Sequence, residues 1–146
     1  MERDKASTVR SIDETPTWLS YGSDQTAIEF FVRTRFGDKV FEALEERTAR
    51  VLEEAIELFD AEHKDRDAAR AQAHKMVDHV FDHAKGEVNQ EAGGLIVTFL
   101  AYCGAKGVRL DKLADDEIAR VMKMSKEHFV KRQQTKAAAG VAILSE

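Results

Sequence analysis

The residues best suited to chemistry are carboxylates. Glu53, Glu54 and Glu57 lie in Leu52-Glu-Glu-Ala-Ile-Glu-Leu58, and Glu87 and Glu91 bound Glu87-Val-Asn-Gln-Glu91. At ~100° per residue on a helix, Glu54 and Glu57 point about 60° apart and so face one way. They stand off the apolar stripe of Phe41, Leu44, Ala55 and Phe59. Glu87 and Glu91, four apart, also share a side. Paired carboxylates on two helices can clamp a hard divalent cation. Mg²⁺ takes oxygen ligands, keeps waters and bridges to phosphate oxygens. By spacing alone, a plainer reading comes first: glutamates on a helix face solvent, with Arg47 or Arg50 pairing with Glu54.

Gln90-Glu91-Ala92-Gly93-Gly94-Leu95 is the oddity that lifts the first reading. Two glycines inside an apolar helix cost roughly 1 kcal/mol each relative to alanine. Close approach by another helix or by a ligand is the usual reason. Helix packing suits Gly93, whereas Gly94, three residues after Glu91, could leave room for a bound group. Other constellations fail. His79 and His83 alternate with Asp78 and Asp82 but lack the His-Glu-x-x-His order of a zinc hydrolase. No Glu-x-x-His of a di-iron bundle occurs, and there is no P-loop. Cys103, in an apolar setting, reads as a packed core thiol.

Residues about 40 to 136 resemble the MazG-like all-α nucleoside triphosphate pyrophosphohydrolases. That family carries Glu-x-x-Glu on one helix and Glu-x-x-Asp on a later one, the latter inside Glu-Glu-Leu-Gly-Asp before an apolar run. Leu52-Glu-Glu-Ala-Ile-Glu-Leu58 is similar to the first element and Gln90-Glu91-Ala92-Gly93-Gly94-Leu-Ile-Val to the second. Lys131-Arg132-Gln133-Gln134-Thr135-Lys136 resembles the family's basic end. The family's aspartate is Gly94 here. The resemblance implies hydrolysis of a (deoxy)nucleoside triphosphate to monophosphate and pyrophosphate, with Mg²⁺, or Mn²⁺ in its place, as cofactor. Glu54, Glu57 and Glu91 would be metal ligands, with Glu87 as a fourth if the second pair is shifted one turn. Glu53 or Glu87 would orient the attacking water, and Lys131, Arg132 and Lys136 would neutralise the β and γ phosphates. The same three cations would also offset the dipole of a helix C-terminus. Trp18, Tyr21, Phe30 and Phe36 are all candidates to stack on the base.

These residues need helices to position them, and the chain predicts little else. An apolar helical period runs through 24–37, 38–62, 67–84, 87–106 and 111–136, stopped by Gly37, Gly86 and Gly107. The expected fold is all-α, an antiparallel bundle of about five helices. A loose arm over 1–23 precedes the helical domain of 24–136, and a weakly patterned tail covers 137–146. The fourth helix, with Val88, Ala92, Leu95, Ile96, Phe99 and Leu100, is the most apolar and is expected at the centre. The 146 residues carry 22 Lys and Arg against 27 Asp and Glu, a formal charge of -5. That balance disfavours nucleic acid as a partner, including through a helix-turn-helix. One cysteine excludes an internal disulfide. The run Leu95–Cys103 is too short for a membrane span, and Met1-Glu-Arg-Asp-Lys5 lacks a signal peptide's apolar stretch. A cytoplasmic protein without a membrane partner is expected. A homo-oligomer, dimer or tetramer, is expected from extra apolar surface on 24–37 and the leader. The alternative function is a non-catalytic helical protein that keeps the fold for binding or assembly.

Overall fold

The structure is a computed structural model that describes residues 21–83 and 85–142. Trp18 and most of the expected arm lie outside these residues. Seven helices form among the described residues: α1 Tyr21–Phe36, α2 Asp38–Glu42, α3 Leu44–Glu62, α4 Arg66–Phe81, α5 Val88–Lys106, α6 Leu110–Met122 and α7 Lys126–Ala138. The all-α expectation holds, with two of the five expected helices divided.

Each division has a local cause. Gly37 leaves α1 at φ +93°, a conformation that glycine adopts without steric cost. The chain then turns α2 back against α1, where Arg33 bridges Asp38 at 2.7 Å and Glu42 at 3.1 Å and lies 4.1 Å over the Phe41 ring. The extended backbone of Ala43 separates α2 from α3, and alanine gives no sequence signal for such a stop. The expected helix over 111–136 breaks at Lys123–Ser125 because Ser125 caps α7. Its hydroxyl accepts the His128 backbone N–H at 3.2 Å. Asp65 caps α4 in the same way through the N–H groups of Asp67 and Ala68. Gly107, at φ +72°, closes α5.

The helices pack as α1 on α2 and α7, α2 on α3, and α3 on α4. The core sits where α1 meets α7. Phe31, Val32 and Phe129 are buried there, and Ile28, Phe36, Phe41, Val121 and Met124 close around them. Of the expected stripe Phe41, Leu44, Ala55 and Phe59, only Phe41 packs against this knot, and Leu44 and Ala55 are exposed. The expectation that the fourth helix is central does not hold. Along α5 only Cys103 is buried, with Phe99 and Tyr102 half-buried, while Leu95, Ile96, Val97 and Leu100 are exposed. Apolar content marks a helix as needing cover, and within this chain the cover for most of α5 does not come from the other helices. No helix among the described residues is long and apolar enough to cross a membrane.

Candidate functional site

The charged residues picked out by sequence lie on α3, on α7 and at the start of α5. Helix α3 carries Glu46, Arg50, Glu53, Glu54 and Glu57 in successive turns. Arg50 is the hinge of the group. Its Nε lies 3.2 Å from the carboxylate of the fully buried Glu46, and its other nitrogens reach Glu53 and the backbone carbonyl of Val141. The pairing of Arg47 or Arg50 with Glu54 expected from spacing therefore goes to Glu46 and Glu53. Arg50 and Glu46 were legible as an i, i+4 pair. The burial of Glu46 was not, because it depends on helices that arrive from elsewhere in the chain.

Helix α7 brings its cations to this side of α3. Lys136 donates to Glu53 Oε2 at 2.7 Å, across 83 positions of sequence. Both side chains are about four-fifths covered. Burial pushes the Glu53 carboxyl upward, but the Lys136 hydrogen bond and the charges of Lys136, Arg50 and Arg132 outweigh it and hold the group below its ordinary value. Lys131 and Arg132 stay exposed, and together with His128, Thr135 and Lys136 they border a shallow hollow. Thus the expected water-orienting residue Glu53 and the expected phosphate-binding residue Lys136 are held by each other, while Lys131 and Arg132 face outward.

Glu54 and Glu57, one turn apart, are both exposed. Glu54 lies toward α6, close enough for its charge to favour the cationic form of Arg120, behind the larger effect of the Glu117 hydrogen bond. Arg120 in turn holds the Glu117 carboxyl low, helped by the charge of Arg132. Glu57 turns toward α4. There an open groove of about 690 Å³ is lined by Ile56, Phe59, Asp60, Ala73, His74 and Val77 among others. A space of that size would hold a nucleotide-sized molecule.

The second carboxylate pair sits apart. Glu87 is the residue preceding α5, and its Oε2 accepts the Gln90 N–H at 3.0 Å. That bond satisfies a helix-end donor and places negative charge at the positive end of the helix dipole. Glu91 is exposed in the first turn of α5 and folds back against Gly86. At its other end, α5 touches α3: Tyr102 and Lys106 donate to Glu62 at 2.7 and 2.6 Å. Glu54 and Glu57 suit a hard cation by donor type and exposure, but among the described residues no three His, Cys, Asp or Glu side chains gather around one point. No known protein family, curated protein or solved structure matches the chain.

Proposed function

We propose that the chain hydrolyses a nucleoside or deoxynucleoside triphosphate to its monophosphate and pyrophosphate, with Mg²⁺ or Mn²⁺ as cofactor. The observation that supports this most is the placing of the α7 cations beside the α3 carboxylates. Metal ligands and phosphate-binding cations must lie within one triphosphate's length of each other, and the 2.7 Å bond between Lys136 and Glu53 holds the two helices at that distance. Glu54 and Glu57 would hold the ion; Glu91, the expected ligand from the second helix, does not reach them within the described residues. The bound ion would neutralise the phosphate oxygens and lower the pKa of a coordinated water. Arg132 and Lys131 face outward and would take the terminal phosphates as charge-assisted partners. Glu53 is already bonded to Lys136 and so serves to position that cation. The groove beside Glu57, walled by Ile56, Phe59 and Val77, would accept the base.

In the balanced reaction one water adds across the α–β anhydride, giving the monophosphate and pyrophosphate. The full chain incubated with each common ribo- and deoxynucleoside triphosphate should release pyrophosphate from at least one, and chelation of the metal should stop it. Glu57→Gln should lower turnover by at least about 100-fold, beyond the loss that even outer partners of a metal site produce. Release of orthophosphate, or no turnover of any nucleotide, would contradict the proposal. The second reading, a non-catalytic binding or assembly protein, is favoured by one observation: Lys136 and Glu53 satisfy each other without a ligand.

A further inference from the structure

The least satisfied part of the molecule is α5. From Ala92 to Ala105 it has no charged side chain, a neutral stretch of roughly 21 Å at ~1.5 Å per residue. Ile96 is 59% and Val97 66% exposed. A Cβ added at Gly93, Gly94 or Gly104 would meet nothing within 4 Å. The glycines are therefore not spent on close packing inside this chain, although each weakens the helix by roughly 1 kcal/mol relative to alanine. On the preceding helix Met76, Val80 and Phe81 form a second exposed apolar row.

The area involved indicates the size of what is missing. The chain exposes 12695 Å², where a folded body of its mass exposes about 7,500 Å². Fully solvated chain at residues 1–20, 84 and 143–146 would account for at most roughly 4,000 Å² of that total. The 121 described residues then expose about 8,700 Å², where a closed body of their mass exposes about 6,600 Å², an excess of about 2,000 Å². Two such faces together give about 4,000 Å², inside the range of obligate homodimers. Residues 1–20 offer few large apolar side chains, chiefly Val9, Ile12, Trp18 and Leu19, too little to line both rows.

We propose that a second copy of this chain packs antiparallel along α5 and over the exposed row of α4, closing this face as a twofold dimer. Charge sets the direction. The N-terminal end of α5 is acidic, with Glu87 and Glu91 beside Lys85, and its C-terminal end carries Lys106 and Arg109, whose charges Glu62 and Asp111 offset in part. An antiparallel pair sets acidic end against basic end and opposes the helix dipoles, whereas a parallel pair would set like charges together. A neutral, self-complementary stripe is what a twofold contact requires, because the same patch serves both subunits. The small residues Gly94, Thr98, Ala101 and Ala105, at spacings of four, three and four, recur on one side of α5 and allow the two helices to approach closely. This moves the expected oligomer surface away from residues 24–37, whose Phe31 and Val32 are buried in the chain's own core. The pairing does not depend on the hydrolase reading.

Sedimentation of the full chain at micromolar concentration tests it. The expected mass is twice that of the chain. Val97→Glu should halve it while helicity by circular dichroism is unchanged, since Val97 is 66% exposed in the single chain and lies about 60° from Gly94 around the helix. Gly94→Leu gives an independent block: the single chain has room for the side chain, and a close helix partner does not. A monomeric wild type overturns the proposal, including one whose α5 amides are protected because residues 1–20 cover the helix. A dimer that survives both substitutions overturns it as well.

Discussion

Where α1 meets α7, three phenylalanine rings lie edge to face with centroids 5.3 to 6.4 Å apart. Along α5, by contrast, an equally apolar run stands in solvent. The two regions differ little in residue type. They differ in whether the chain brings a second apolar surface to the first. The rings of Phe31 and Phe36 on α1 find Phe129, nearly 100 positions later, and the contact buries Phe31 and Phe129 and half-buries Phe36. Helix α5 meets α3 through its last turns, at Glu62, and Leu95, Ile96, Val97 and Leu100 stay exposed. Burial follows from pairing of surfaces, and hydrophobicity alone states only the demand.

The largest effect should come from breaking the closed region. Phe129→Ala removes a ring from the centre of the knot and should cost about 3–5 kcal/mol in urea unfolding. Ile96→Ala, measured at a concentration where the chain is monomeric, should change stability by less than about 0.5 kcal/mol. Comparable losses at the two sites would mean that α5 is packed within its own chain and would erase the contrast.

A smaller effect should come from the link between α7 and α3. Glu53 has a lowered carboxyl pKa, so the Lys136 pair stabilises the fold above the ordinary glutamate value near ~4.3 and loses this as pH falls through the lowered one. Lys136→Met should therefore cost about 1 kcal/mol at neutral pH. The cost should vanish in acid, once Glu53 is protonated in both states. An equal cost at both ends of the pH range would assign the role of Lys136 to packing of its stem in place of its charge.

Much of this was legible in the chain. The start and stop of α5 follow from Glu87 and Gly107, and the inward face of α1 from the spacing of Ile28, Phe31 and Val32. The division between α6 and α7 could have been read at Ser125, a capping residue outweighed by the apolar period on either side of it. The break at Ala43 could not, because alanine favours continuing a helix. For the site, helix periodicity put Glu54 and Glu57 on one side of α3, and they are exposed there. It could not show that Lys136 would meet Glu53, since a contact across 83 positions is set by how helices return and not by any local pattern. Nor could it show that the most apolar helix would lie outside the core. A period identifies the face that must be covered, and the covering surface can belong to another molecule.

Hydrogen exchange as a function of protein concentration tests the contrast most directly. Amides of α1 and α7 around Phe31 and Phe129 should exchange at rates independent of concentration, because their cover is intramolecular. Amides of α5 from Leu95 to Ala101 should be fast in dilute solution and become protected as concentration rises. Protection of α5 that is already complete at high dilution, or that never develops at any concentration, would contradict an open face closed by a second copy.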